Sequence, residues 1–230
     1  MSTPLSIVVP VLDEAGIVAE SLARLAPLRR RGCEVIVVDG GSRDGTAELA
    51  APYADRVVIA QRGRAAQMNA GAAVASGDVL LFLHVDSVLP EKADGMILSA
   101  LDDTTCNWGR FDIAIDGRRG LLPLIAWFMN RRSRLTGICT GDQGIFVRAE
   151  AFAACGGFPL IDLMEDIALS RTLKRSSRPV CLRQRIVTSG RRWERRGPLR
   201  TMTMMWRLRL AYFFGADPHR LAAIYDAAHD

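Results

Sequence analysis

Residues 35–46, reading Val-Ile-Val-Val-Asp-Gly-Gly-Ser-Arg-Asp-Gly-Thr, constrain the fold more than any other stretch of the chain. A four-residue β-branched run suits a strand buried on both faces, as in a parallel sheet. Asp39 stands where that strand ends, and ligands of open α/β sheets bind at such ends. Gly40 and Gly41 permit a tight turn and close backbone approach. Ser42 or Asp44 can cap the following helix, with Gly45 and Thr46 in its first turn.

Three further apolar runs, at 6–11, 57–60 and 79–83, are each separated by enough chain for a helical crossover. That spacing predicts a βαβαβαβ series and a parallel sheet covered by helices. Between the first two runs Val18, Leu22, Leu25 and Leu28 recur at helical intervals, while Arg24, Arg29, Arg30 and Arg31 supply a polar face and C-terminal charge. Pro90 fits the first turn of a later helix whose apolar face carries Ile97 and Leu101. At 230 residues, with no linker-like, repeated or low-complexity tract, the chain suits one domain with at most a C-terminal extension.

The opening Met-Ser-Thr-Pro, which enters a strand at once, predicts no secretory leader. Five scattered cysteines without a Cys-x-x-Cys pair read as reduced residues of a cytoplasmic protein rather than zinc ligands or disulfides. Seven arginines and one acid, Glu194, lie between Arg183 and Arg200. Such a cluster suits a diphosphate, an anionic lipid head group or nucleic acid, or is simply a solvated basic face. Nucleic acid is disfavoured, since no recognition helix or aromatic-bearing sheet accompanies it.

The run from Leu81 to Ser87, Leu-Phe-Leu-His-Val-Asp-Ser, places His84 and Asp86 at the end of the fourth strand, facing the cleft that Asp39 faces. One carboxylate beside a diphosphate is the usual way to hold Mg2+ or Mn2+. Asp86 is therefore the expected metal ligand, against the plainer reading of a turn cap. His84 reads more readily as a hydrogen-bonded rim residue than as a ligand.

Taken in order, Val8-Val9-Pro10-Val11-Leu12-Asp13-Glu14, the Asp39 segment, Arg64-Ala65-Ala66-Gln67-Met68-Asn69-Ala70-Gly71, His84-Val85-Asp86 and Met164-Glu165-Asp166 resemble family 2 glycosyltransferases across roughly residues 5–195. The resemblance implies the GT-A fold, a Rossmann-like, mostly parallel sheet flanked by helices. It implies a nucleotide-binding half at 1–104, an acceptor and catalytic half at 105–195, and a helical extension at 196–230. Two departures stand out. Gly40 replaces the second acid of the family's Asp-Asp-Gly-Ser, and His84 replaces the first acid of Asp-x-Asp.

Carried over, the resemblance implies that Pro10, Glu14 and Asp39 line a nucleoside pocket. Arg64 and Asn69 would lie near the sugar or diphosphate, and Asp142 and Gln143 near the transferred sugar. An inverting transfer needs one base on the acceptor hydroxyl and something to take up diphosphate charge. Asp166 is the expected base and Glu165 orients the acceptor or the helix, since adjacent helical residues point apart. Ser189-Gly190-Arg191-Arg192-Trp193 is similar to the Gln-x-x-Arg-Trp motif of processive members, with Ser189 in place of Gln, which argues against a processive synthase. Arg191 or Arg192 would close over the diphosphate, and Trp193 would stack on an acceptor or pack in the core.

The implied partners are a nucleoside diphosphate sugar and a hydroxyl acceptor. Segments 121–129, followed by Arg131, Arg132 and Arg134, and 201–215 are too short or too charged to span a bilayer. They suit either core packing or the inner membrane surface, and in the second case the acceptor would be lipid-linked. The rival readings are a degenerate nucleotide-sugar binding module and a sugar-phosphate nucleotidyltransferase, although 10–14 is not the Gly-rich basic loop the latter needs.

Overall fold

The computed structural model describes residues 4–117, 120–191, 193 and 197–227. Strands β1 (Leu5–Val11), β2 (Glu34–Asp39), β3 (Arg56–Ile59) and β4 (Val79–Phe82) are the four expected apolar runs, paired in parallel. Four more complete the sheet: β5 (Ser87–Val88), β6 (Trp108–Asp116), β7 (Ile145–Arg148) and β8 (Val180–Ser189). The order is β3-β2-β1-β4-β7-β6-β8-β5. β7 runs antiparallel to β4 and β6, and β5 antiparallel to β8, so the sheet is mixed though mostly parallel.

Side-chain alternation divides the core between the two faces of this sheet. Val9, Val11, Val35, Val37 and Leu81 belong to one buried cluster, and Val8, Ile36, Val38, Leu80 and Phe82 to the other. Helix α1 (Val18–Ala23) and helix α2 (Ala26–Arg30) stand where one helix was expected, although Val18, Leu22, Leu25 and Leu28 are all buried as predicted. Pro27, at the start of α2, has no N–H to continue the ladder and breaks the helix there. Helix α3 (Thr46–Ala50) follows β2. Helix α4 (Arg64–Val74) presses its Gly71 against the sheet, where a Cβ would lie 2.4 Å from Val8 Cγ1 and 2.9 Å from Val38 Cγ2.

Pro90 falls outside helix α5 (Ala93–Ala100), because Lys92 adopts a left-handed conformation (φ 58°) that cannot belong to the helix. Ile97 and Leu101 nonetheless face the core. The second half adds α6 (Leu122–Thr136), α7 (Ala149–Ala154), α8 (Glu165–Leu173), α9 (Pro198–Phe213) and α10 (Pro218–Ala227). The two apolar stretches that bore on the membrane question divide their residues. Leu122, Ile125 and Leu208 are buried, while Leu124, Trp127, Phe128, Trp206, Leu210 and Phe213 are exposed. Among the described residues no helix is long and apolar enough to cross a membrane. All five cysteines are free.

Candidate active site

The ends of β1, β2 and β4 open onto one cleft, and the loops beyond them are stitched together before any ligand arrives. Thr46 Oγ1 accepts from the Glu14 N–H (2.8 Å), Asp44 Oδ2 from Ala15 (3.0 Å) and Ser42 Oγ from Asp13 (2.9 Å), while Asp13 Oδ1 accepts from Arg43 (2.9 Å). Gly41 and Gly45 take left-handed conformations (φ 89° and 86°) that only glycine adopts freely. Asp39 Oδ1 accepts from the Gly41 and Ser42 N–H groups, each at 2.7 Å, and Oδ2 is buried without a hydrogen-bond partner. A buried orphan oxygen of this kind marks a place for a ligand hydroxyl or N–H, or for water.

Gln67, to which no role was assigned from the sequence, is buried. Its amide donates to the Val11 carbonyl (2.8 Å) and the Val38 carbonyl (2.9 Å), tying β1 to β2. A Cβ on Gly40 would meet this amide at 3.1 Å. Asn69 is used the same way: it donates to the Phe158 carbonyl (2.8 Å) and accepts from the Phe158 N–H (2.9 Å), so its amide holds the loop after α7 rather than lining the cleft. Gln143 is buried, with Oε1 accepting from the Thr140 N–H (3.2 Å).

The cleft, about 1240 Å³, is lined by Pro10, Glu14, Arg64, Asp86, Asp142 and Arg191 among the expected residues. Arg62, Asp162 and His219 also line it and were not singled out. Arg62 was legible in principle as the cation preceding Gly63 at the start of α4. Asp162 and His219 were not, because they meet through a 2.5 Å contact between the α7–α8 connection and α10. Arg192 lies outside the described residues. Burial raises the Glu14 pKa, opposed by Arg191 and reinforced by Asp86. Among the described residues no three His, Cys, Asp or Glu side chains gather as a metal cluster. The Asp86 carboxylate, on a cleft that Glu14, Asp142 and Asp162 also line, fits the mode in which Mg2+ takes one or two protein oxygens and completes its shell from diphosphate and water.

A second chamber, about 590 Å³ and largely apolar, adjoins the first and shares Arg64, His84, Asp142 and Trp193 with it. Glu165 and Asp166 line this chamber, presented by Met164 in a left-handed conformation (φ 72°) at the start of α8. Asp166 Oδ2 accepts from the Gly141 N–H (2.9 Å) and Oδ1 from its neighbour Ile167 (2.7 Å). Each oxygen keeps a second lone pair. Burial raises the pKa of both acids; Glu165, with Asp166 adding to the effect, is pushed up to about 7. Arg64 keeps an exposed edge yet lies deep enough for desolvation to oppose its charge, which Glu165, Tyr225, Asp142 and Asp166 more than restore. His84 packs on Gly141, where a Cβ would come within 2.6 Å of Nε2, and its Nδ1 lies 3.7 Å from Asp142.

The family model for Glycosyl transferase family 2 matches residues 6–157, from β1 to just beyond α7. The chain belongs to this family. Curated relatives include PGL/p-HBAD biosynthesis glycosyltransferases of Mycobacterium tuberculosis and Mycobacterium bovis, 34% identical over 99 residues, which is 40% of this chain and 39% of theirs. The match therefore spans well under half the length of those relatives.

Solved structures of similar fold include the mannosyltransferase PcManGT of Pyrobaculum calidifontis with GDP-Man and Mn2+ (TM-score 0.64, 22% identity, 100% of this chain and 65% of that one). The S. aureus TarS fragment 1–349 with UDP-GlcNAc gives a TM-score of 0.67 at 18% identity, over 82% and 59% of the two chains. Glucosyl-3-phosphoglycerate synthase of Mycobacterium tuberculosis with Mn2+ and UDP gives 0.64 at 19%, over 91% and 78%. At these identities the likeness is one of fold, a GT-A sheet with flanking helices.

Proposed function

We propose that this chain transfers a sugar, with inversion, from a nucleoside diphosphate sugar to a hydroxyl acceptor, with Asp166 as the general base. The observation that carries this reading is the junction at Arg64, His84, Asp142 and Trp193, where a polar cleft meets an apolar chamber bearing the buried Glu165 and the half-buried Asp166. The nucleoside would lie over Pro10, Glu14 and Asp39, with the diphosphate among Arg62, Arg64 and Arg191. Asp86 would hold Mg2+ or Mn2+, whose chemistry there is to neutralise diphosphate charge. Trp193 borders both spaces, and there it would face the acceptor.

In the reaction the acceptor oxygen attacks the anomeric carbon from the side opposite the diphosphate. The carbon–oxygen bond to the diphosphate breaks, its electron pair leaves with the diphosphate, and the hydroxyl proton passes to Asp166. A raised pKa brings that carboxylate closer to the acceptor and makes it a better base. Arginines absorb the leaving charge, so no second acid is required.

Thermal melts with UDP, GDP, CDP, ADP and dTDP, each with and without Mn2+, test the donor half. A ligand at about 100 times its Kd adds roughly 2.7 kcal/mol, and one nucleotide should stand out. Asp166→Asn should abolish transfer and keep that melt shift. Retained transfer would remove Asp166 from the mechanism, and no shift with any nucleotide would refute the donor cleft.

A further inference from the structure

The apolar chamber has two ends. One is the junction with the donor cleft. The other, at Arg132, Thr136, Trp206 and Arg209, opens into an outer groove between α6, α8 and α9. Among the described residues that groove is lined by six cationic side chains, those of Arg132, Arg171, Lys174, Arg175, Arg207 and Arg209, and by no carboxylate. Buried cations normally carry partners. Here Arg132 Nε and Nη2 and Arg209 Nε are buried without a hydrogen bond. Desolvation lowers the pKa of Arg132, against the pull of Asp166.

We infer that the chamber binds an amphipathic acceptor with an apolar body and one anionic group, a phosphate or carboxylate, anchored by Arg132 and Arg209, with a separate hydroxyl reaching Asp166. The inference rests on the proposed transfer reaction and names its acceptor class. The walls supply the apolar half of the recognition through Ile125, Phe128, Met129, Leu163, Met202 and Met205. A chamber of this size is of the order that holds a small molecule. The free guanidinium N–H groups supply the polar half, since charge-assisted hydrogen bonds to phosphate or carboxylate are the strongest such a group can form. The groove's cluster of positive charge would draw the anion towards the chamber. Holding the acceptor at two points, the anion at Arg132 and Arg209 and the hydroxyl at Asp166, sets which hydroxyl is glycosylated.

The test is a titration of the whole protein followed by tryptophan fluorescence, since Trp127, Trp193 and Trp206 border the chamber. The probes are octyl phosphate, octanoate, 1-octanol and octyltrimethylammonium, with inorganic phosphate alone and phosphatidylglycerol vesicles as separate arms. The two anionic amphiphiles should bind roughly tenfold or more tighter than 1-octanol, the scale of one charge-assisted hydrogen bond. Octyltrimethylammonium should bind no better than the alcohol. Arg132→Gln should remove the preference for the anion while leaving 1-octanol binding unchanged, and Arg209→Gln should weaken it less.

Equal affinity for alcohol and anion, or an unaltered preference in Arg132→Gln, overturns the inference. A response confined to the vesicles overturns it as well, since the ligand is then a bilayer and not a molecule in the chamber. Nucleotide melt shifts run on the same protein separate this failure from failure of the transfer reading: an intact nucleotide response with no anion preference refutes the acceptor class alone. A native melting curve for each variant excludes misfolding, and Arg132→Lys, which keeps the charge, should recover part of the preference.

Discussion

Glu165 offers the sharpest perturbation, because burial acts against its charge and the penalty can be read as stability. Its pKa is pushed from 4.5 to about 7, first by burial and then by Asp166 beside it. A carboxyl whose folded pKa lies above its unfolded value stabilises the fold fully below the unfolded value, and that contribution is lost as pH rises through the folded one. Between pH 4.5 and about 7 the native protein should therefore lose stability at this pair. At about 1.4 kcal/mol per pH unit, the loss is roughly 3 kcal/mol, shared with Asp166 through their coupling. Glu165→Gln keeps the shape and removes the titration.

The difference in Tm between variant and wild type, measured at pH 5 and at pH 8, should shift in favour of the variant at the higher pH. For a chain of this length about 1 kcal/mol corresponds to roughly 2–4 °C, so the expected change is about 6–12 °C. Comparing variant with wild type at each pH cancels the other titrating groups. A difference that stays flat between the two pH values would refute the reasoning, because it would mean that Glu165 is charged at no cost in the folded protein.

Other outcomes follow from the same geometry. Transfer by the native enzyme should rise with pH as the Glu165–Asp166 pair loses its proton, and a rate that falls across that range would exclude a carboxylate base. Gln67→Leu withdraws an amide from the buried Val11 and Val38 carbonyls and should cost about 1–3 kcal/mol, measured by denaturant unfolding. Gly71→Ala places a methyl against Val8 and Val38 and should cost roughly 1–3 kcal/mol. Adding Val8→Ala should recover part of that loss, and strictly additive losses would show that the two sites do not touch.

The sequence makes the donor half legible because its signals are local. The β-branched run before Asp39 suits a strand buried on both faces and is one, and of the two glycines expected in the turn Gly41 takes a left-handed conformation; Gly45, expected inside the helix, instead precedes it as a left-handed N-cap in place of a Ser42 or Asp44 cap. The antiparallel β7 and the long β6–β8 pairing were not legible, since which strands pair is decided by tertiary packing and leaves no short-range mark. Asn69 shows the limit of motif reasoning. The motif implies an amide near the sugar or diphosphate, whereas that amide is spent on the Phe158 backbone. Arg132 reads in the sequence as one more charge after an apolar run, and only the folded helix shows its Nε and Nη2 buried at a largely apolar chamber without a hydrogen bond.

The cleft is lined by Pro10 from β1 and by Ala222 and Ala223 from α10. Such a wall joins parts of the chain far apart in sequence, and contacts of that kind form late in folding because loop closure must precede them. On the ribosome, then, the parallel strands β1 to β4 can assemble well before α10 emerges, but the cleft is not walled until it does. In the interval between the completion of β8 at Ser189 and the arrival of α10 at Pro218, a growing chain of this protein would have every strand of its sheet while the cleft stood open on one side.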